Sequence, residues 1–147
     1  MIDLSAQAAQ LLYTYARAVD EGDLDTLEQI AHEDVSLTRV DGTKHGREAF
    51  LNLYRGFKDS NQRGSKHVVT NVQAFPEDGN GIRAKAYFAA TMFDEDGTRM
   101  VIGQYDDSMR DDGDGLKYVH KRIIVERVVQ LGSSTAEWTG VTPKAAA

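Results

Sequence analysis

The feature that most constrains this fold is a change of hydrophobic period near Lys66. From there on, apolar and polar residues alternate, which is the pattern of half-buried β-strands. Loops rich in Gly and Asp interrupt the alternation, so the sequence predicts an antiparallel meander joined by hairpins. The four segments have roughly 10 to 14 residues against a usual five or six: KHVVTNVQAF, IRAKAYFAATMF, RMVIGQYDDSMR and LKYVHKRIIVERVV.

The first part of the chain has a helical period instead. Residues 4–19 carry an apolar stripe at helical spacing, with Ser5 as the expected N-cap and Gly22 as the expected terminator. A second short helix is predicted to begin after Asp23, which would cap it. VSLTRV then alternates as a short strand, and GREAFLNLYRGF predicts a third helix. The predicted order is therefore α, α, β, α, β, β, β, β.

This order predicts an α+β fold in which three N-terminal helices pack on one face of a strongly curved, mostly antiparallel sheet. Strands of this length must curl, and a curled sheet with helices across its mouth forms a cone with a concave interior. A small molecule can bind in such an interior. The 147 residues fit one domain, 1–147, in which residues 132–147 are expected to cap the mouth of the pocket or to be a flexible tail.

Composition excludes several classes of function. With 17 basic and 23 acidic residues, the net charge of −6 disfavours nucleic acid and anionic membrane surfaces as partners. The sequence has no apolar run of 18 residues and no signal-peptide pattern, so we expect a soluble cytoplasmic protein. The absence of cysteine excludes thiol nucleophiles and cysteine metal sites.

No motif for a metal or nucleotide cofactor is present. The four histidines lack a ligand spacing such as HExxH, and the acidic loops are too short for a calcium-binding loop. Glycine-rich phosphate loops and dinucleotide fingerprints are also absent. We therefore expect chemistry that needs no cofactor and no metal.

Two segments carry a resemblance to a known family: YARAVDEGDLDTL, which begins at Tyr15, and HVVTN, which begins at His67. Together with the order of elements, they resemble the SnoaL-like branch of the nuclear-transport-factor-2-like (NTF2-like) superfamily. That branch contains scytalone dehydratase, bile-acid dehydratase and hexachlorocyclohexane dehydrochlorinase. The resemblance implies a cone fold, an aspartate–histidine pair at Asp20 and His67, an active-site tyrosine at Tyr15 and a site arginine at Arg110.

The chemistry implied for this pair is proton abstraction. An aspartate that accepts a hydrogen bond from one ring nitrogen fixes the tautomer of the histidine and leaves the other nitrogen as a base. Tyr15 would hydrogen-bond the leaving hydroxyl or an enolising carbonyl. Structural alternatives stay open for each residue: His67 as a satisfied edge histidine, Asp20 as a helix-end carboxylate, Tyr15 as a core aromatic and Arg110 as a surface cation.

The sequence also departs from some relatives. A scytalone-type second histidine is missing from Ile82–Phe93, and Arg39 stands where ketosteroid isomerases of this fold carry their base aspartate. We therefore expect a cofactor-independent lyase, such as a dehydratase, that acts on a small hydrophobic ring compound. An isomerase or polyketide cyclase with the same base, or a non-catalytic binding subunit, are the alternatives.

The remaining expectations concern the pocket and assembly. Because His67, Val69 and Asn71 alternate with Val68 and Thr70, they should share one face of their strand. The residues expected to bind substrate are Arg110, Asn71, Tyr54, Tyr87, Phe88 and Tyr105, with Phe50, Val69 and Met92 as further walls. A homo-oligomer, dimer or trimer, is expected to form through an exposed apolar face that carries Val119, Ile123, Val125 and Val129.

Overall fold

The computed structural model describes residues 3–60, 62–95 and 97–131, so the expectation for the tail at 132–147 lies outside the described residues. In these ranges the structure has three helices and six strands. Eight of these elements follow the predicted order, and the ninth is an additional short strand, β2 (Gly42–His45). They are α1 (Leu4–Glu21), α2 (Leu24–Ile30), β1 (Ala31–Arg39), β2 (Gly42–His45), α3 (Arg47–Lys58), β3 (Gln62–Glu77), β4 (Gly81–Asp94), β5 (Gly97–Asp111) and β6 (Leu116–Gln130).

The caps of α1 and α2 explain where these helices begin and end. Asp3, rather than Ser5, is the N-cap of α1, because its carboxylate accepts hydrogen bonds from the first amides of the helix. The Ser5 hydroxyl instead accepts a hydrogen bond from the amide of Ala74, which ties α1 to β3. Gly22 ends α1 in the left-handed conformation, and Asp23 caps α2, as the sequence predicts.

The strands form one sheet in the order β2-β1-β6-β5-β4-β3. β1 runs parallel to β6, and all other neighbouring strands are antiparallel. The unpredicted strand β2 has four residues, all exposed, so no apolar alternation marks it in the sequence. The fold is the predicted α+β cone, with the helices on the concave face of a curved sheet.

Bulges bend the long strands and also change which residues face inward. In β3 the pairing with β4 shifts between Thr70 and Gln73, and Asn71 lies there with a φ of 56°. Asn71 is exposed, and Val72 is the next residue to be partly buried. The expectation that Asn71 shares a face with His67 is therefore wrong, because the bulge interrupts the alternation between them.

A second bulge lies where β5 and β6 pair near Gly103. A side chain at Gly103 would collide with the backbone of Ile124 and press on the ring of Phe88, so only glycine allows the two strands to approach this closely. Beyond this bulge the strands continue to pair as far as Arg99 and Gln130. The close approach sets the position of Phe88, which lines the cavity described below.

An aromatic cluster forms the centre of the core. The ring of Tyr15 from α1 makes edge contacts with Tyr54, Tyr105 and Tyr118, at centroid distances of 5.9, 5.8 and 5.7 Å. Phe88 stacks on Tyr105 at 4.4 Å. Edge and offset contacts of this kind stabilise aromatic pairs beyond the area that they bury. Phe50 is fully buried in this core and does not line the cavity, contrary to its expected place in the pocket wall.

Candidate active site

The concave side of the sheet lines a partly open cavity of about 130 Å³, called here the inner cavity. Its apolar walls come from α3 and from strands β4 to β6, and include Leu53, Phe57, Phe88, Met92, Val101, Ile123 and Val125. Its polar groups are Tyr15, Arg39, Tyr54, His67, Arg99 and Tyr105. A mostly apolar cavity with a few convergent polar groups is the usual form of a small-molecule site.

His67 lies at the edge of this cavity and bonds to Asp20, which lines a separate groove on the outside of the protein. Asp20 lies in the last turn of α1, and its Oδ1 is 2.6 Å from Nδ1 of His67 on β3. The same carboxylate accepts hydrogen bonds from the amide of His67, at 2.9 Å, and from the hydroxyl of Ser65, at 2.7 Å. The two side chains are 11% and 7% exposed. Strand β3 therefore holds the carboxylate of α1 through three donors.

These contacts determine the charge of Asp20 and the tautomer of His67. Burial by itself would raise the pKa of Asp20, but the hydrogen bonds from His67 and Ser65 outweigh burial and lower that pKa. An ionised carboxylate only accepts hydrogen bonds, so Nδ1 of His67 must carry the proton. Nε2 then has the lone pair, and no other described residue forms a hydrogen bond with it.

His67 also borders a groove of about 470 Å³ on the outside of the protein, called here the outer groove. Most of the other side chains that line this groove are exposed, among them Tyr13, Arg17, Glu21 and Lys66. Open, charged surroundings of this kind screen electrostatic interactions and admit water. By contrast, the side chains that line the inner cavity are buried or half-buried, with the exception of Val125.

Two tyrosine hydroxyls meet in the inner cavity. The hydroxyls of Tyr15 and Tyr54 are 2.8 Å apart and hydrogen-bond each other. Burial raises the pKa of both tyrosines, so both are neutral phenols at neutral pH. One hydroxyl donates to the other, and the hydroxyl that accepts retains its own proton to donate to a bound molecule.

A second buried acid–base pair, which the sequence analysis did not find, lies beneath the tyrosines. Asp107 on β5 and Lys121 on β6 are fully buried, with Oδ2 and Nζ 2.7 Å apart. The ammonium also lies 3.5 Å from the centroid of the Tyr105 ring and 4.2 Å from that of Tyr15. Burial lowers the pKa of Lys121 to about 8 and raises that of Asp107.

The other residues expected in the site are divided between two places. Tyr54, Phe88 and Tyr105 line the inner cavity, as does Met92. Asn71 and Tyr87 line a groove on the opposite face of the sheet, where Tyr87 is 57% exposed. This differs from the expected pocket because the inward positions of β4 are the even-numbered ones, from Ile82 to Met92.

Arg110 lies at the end of β5, away from the inner cavity. Its guanidinium forms an ion pair with Asp112, with Nε 2.7 Å from Oδ1, and lies 3.4 Å from the ring of His32. Val69 borders the outer groove. Ile123 and Val125 line the inner cavity, although Val125 is also 45% exposed. Sequence reasoning missed Arg39 and Arg99 as cavity residues.

Residues 3–60, 62–95 and 97–131 contain neither a metal-binding cluster nor a membrane-spanning helix. In those ranges no three His, Asp or Glu side chains come together in an arrangement that could hold a metal ion. Nor does any helix in the described part of the chain have the length and apolar character needed to cross a membrane.

The fold is an NTF2-like cone with several polar side chains in its interior. Solved structures of similar fold support this assignment. A scytalone-dehydratase-like protein from Novosphingobium aromaticivorans superposes with a TM-score of 0.78 at 14% identity, covering 91% of this chain and 94% of that chain. A hexachlorocyclohexane dehydrochlorinase superposes with a TM-score of 0.77 at 14% identity, covering 92% and 93%.

A third similar structure is a beta subunit assigned to an aromatic-ring-hydroxylating dioxygenase of Novosphingobium aromaticivorans. It has a TM-score of 0.68 at 13% identity and covers 84% of this chain and 89% of that chain. Comparison with curated protein sequences finds no match. The model of the SnoaL-like domain matches residues 2–122, so the chain belongs to the SnoaL-like family.

Proposed function

We propose that this protein is a cofactor-independent lyase that removes a carbon-bound proton from a small ring compound. The observation that carries the proposal is the contact between Asp20 and His67 at the edge of the inner cavity. Asp20 holds the Nδ1 proton, so Nε2 of His67 is the basic atom available to a substrate. The names of two similar structures, scytalone-dehydratase-like and hexachlorocyclohexane dehydrochlorinase, support the same class of reaction.

In the proposed reaction, Nε2 of His67 takes a proton from a carbon next to the carbon that bears the leaving group. The electrons of the broken C–H bond form the new C=C bond, and the leaving group departs with the electrons of its own bond. The imidazolium that forms is stabilised by Asp20, which is already ionised because of its lowered pKa. The proton then passes from His67 to the leaving group or to solvent, which restores the base.

Tyr15 and Tyr54 are the candidates to assist the leaving group. Because burial keeps both phenols neutral, they act as hydrogen-bond donors rather than as a nucleophile or a base. A hydroxide or halide that develops negative charge would be stabilised by such a donor in an enclosed site. General-base catalysis and a single oxyanion donor each contribute roughly 10²- to 10³-fold or more to a rate.

An isomerase or cyclase that uses the same base is the second candidate, and the tyrosine pair is the observation that favours it. Two neutral hydroxyls 2.8 Å apart can stabilise the oxygen of an enolate as well as a leaving group. The product distinguishes the two reactions. A lyase releases water or halide, whereas an isomerase returns a solvent proton to the substrate and incorporates deuterium in D₂O.

The experiment that tests the proposal is a screen of hydroxylated and halogenated ring compounds with three proteins: wild type, His67→Ala and His45→Ala. His45 is exposed on β2, where it bonds to Ser36, and provides a matched control. We expect the wild type and His45→Ala to convert the same compound and His67→Ala to be slower by at least roughly 10²-fold. Equal turnover by His67→Ala would remove His67 from the mechanism.

A further inference from the structure

The inner cavity has an unusual charge for a protein whose net charge is −6. Its described lining includes two arginines, a histidine and three tyrosines, and no Asp or Glu side chain. Three carboxylates near this lining are already matched, because Asp20 bonds to His67, Asp94 bonds to Arg99 and Asp107 bonds to Lys121. The cavity therefore presents positive charge to whatever binds in it.

Among the positively charged residues of this lining, Arg39 is the one without a counter-ion in the described ranges. It ends β1 and is half-buried, and within the described ranges its guanidinium forms no ion pair and no hydrogen bond. Asp41 lies in the adjoining depression but pairs with Lys44, at 3.9 Å. A guanidinium that is partly removed from water without a counter-ion carries a desolvation cost that a bound anion would offset.

Tyr15 indicates where the charge of Arg39 acts. Burial is the main effect on the Tyr15 hydroxyl and raises its pKa, whereas the positive charge of Arg39 opposes that rise. Arg39 and Tyr15 also line the same cavity, so a molecule bound there can lie between them. Arg99 differs, because its Nε is 2.7 Å from Oδ2 of Asp94, which already supplies a counter-ion.

We propose that Arg39 binds an acidic group of the substrate, a carboxylate above all, and so holds the ring with a C–H bond facing His67. This inference rests on the proposed function and names its substrate class: single-ring carboxylic acids. A volume of about 130 Å³ suits one ring, since an engineered cavity of about 150 Å³ holds benzene. Anchoring one end of a small ring fixes the distance of its reacting carbon from the base.

Calorimetric binding of benzoate and of its uncharged analogue benzamide tests the inference. The proteins are wild type, Arg39→Gln, Arg39→Lys and Arg17→Gln. Arg17 is exposed in the outer groove, so its replacement changes the net charge equally outside the inner cavity. We expect the wild type to bind benzoate at least roughly tenfold more tightly than benzamide, because a charged hydrogen bond is about twice as strong as a neutral one.

Arg39→Gln should lose this preference, Arg39→Lys should retain part of it, and Arg17→Gln should retain all of it. Thermal unfolding of each variant shows whether it is folded. If Arg39→Gln does not fold, the benzoate preference of Arg39→Lys tests the inference instead. The inference is overturned if wild type does not bind benzoate or binds it no better than benzamide. It is also overturned if the preference survives Arg39→Gln or is lost in Arg17→Gln.

A His67→Gln variant separates this inference from the proposed function. His67→Gln should still bind benzoate more tightly than benzamide, whatever its affinity for either compound, because the preference for the charged group comes from Arg39. If benzoate binding depends on Arg39 but His67 proves irrelevant to turnover, the anion site stands and the lyase fails. If His67 is needed to convert a neutral ring compound and benzoate shows no preference, the lyase stands and the anion site fails.

Discussion

Two buried acid–base pairs in this protein have nearly the same geometry and different surroundings. Asp20 and His67 are 2.6 Å apart at the edge of a cavity, and the histidine has a nitrogen that bonds to no other described residue. Asp107 and Lys121 are 2.7 Å apart, fully buried, and do not line that cavity. Both pairs are buried and hydrogen-bonded, so neither property distinguishes a candidate catalytic pair from a structural one. What distinguishes them is that a ligand in the cavity can reach His67 but not Lys121.

The surroundings of the Asp107–Lys121 pair compensate both charges within the core. The second carboxylate oxygen of Asp107 accepts the amide of Arg122 at 2.9 Å, and the ammonium lies among the rings of Tyr15, Tyr105 and Tyr118. Removing two charges from water is costly, and such a pair often adds little net stability. Its main effect is that the loss of either partner leaves an uncompensated charge in the core.

The largest expected effect is the loss of stability on replacing Lys121 with Met. The variant leaves the carboxylate of Asp107 buried without its cation, so we expect the free energy of unfolding to fall by about 3–5 kcal/mol. Denaturant unfolding measures it. Lys117→Met is the control, because Lys117 pairs with the exposed Asp114 and should lose less than about 1 kcal/mol. Equal losses in the two variants would contradict a structural role for the Asp107–Lys121 pair.

The next effect is the partial rescue of that loss by a second replacement. Asp107→Leu combined with Lys121→Met removes both charges and leaves only the amide of Arg122 without its acceptor, at a cost of about 1–3 kcal/mol. The double variant should therefore be more stable than Lys121→Met alone by about 1–2 kcal/mol. If the double variant is the less stable of the two, the account of an uncompensated charge is wrong.

A smaller loss of stability is expected at the other pair. Asp20→Asn keeps the size of the side chain but cannot accept all three hydrogen bonds, so unfolding should become easier by about 1–2 kcal/mol. Asp23→Asn, at the cap of α2, is a suitable control because asparagine caps helices as well as aspartate does. A loss at Asp20 as large as that of Lys121→Met would remove the contrast between the two pairs.

The smallest effect is the pH dependence that Asp20 contributes. Its pKa is lower in the folded protein, so the stabilisation is complete above the pKa of the unfolded chain and is lost as the pH falls through the folded value. The free energies of unfolding of wild type and Asp20→Asn should therefore converge as the pH falls below about 4, the ordinary pKa of an aspartate. If the difference between them stays constant over that range, the carboxylate is not stabilised by its contacts.

Most of the fold could be predicted from the sequence because its elements have strong periods and clear ends. The stripe of α1 with its stop at Gly22 and the alternation of the four long strands predict five elements. With α2, the short strand β1 and α3, eight of the nine elements are predicted in their order. The strand β2 could not be predicted, because its four residues are all exposed.

The site could be predicted only in part, because bulges decide which residues face inward. Asp20, His67 and Tyr15 came from a resemblance, not from periodicity. In β6, strict alternation from the buried Tyr118 would turn His120 and Arg122 inward, but the irregular pairing between Tyr118 and His120 turns Lys121 inward instead. The same kind of shift separates Asn71 from His67.

The most direct test of the central claim is the tautomer of His67, measured by ¹⁵N NMR of its ring at alkaline pH, where imidazole is neutral. The account predicts that Nδ1 carries the proton, that Nε2 is the unprotonated acceptor, and that Asp20→Asn increases the population with the proton on Nε2. A wild-type ring with its proton on Nε2 would contradict the account, because His67 would then present a donor and no base to the substrate.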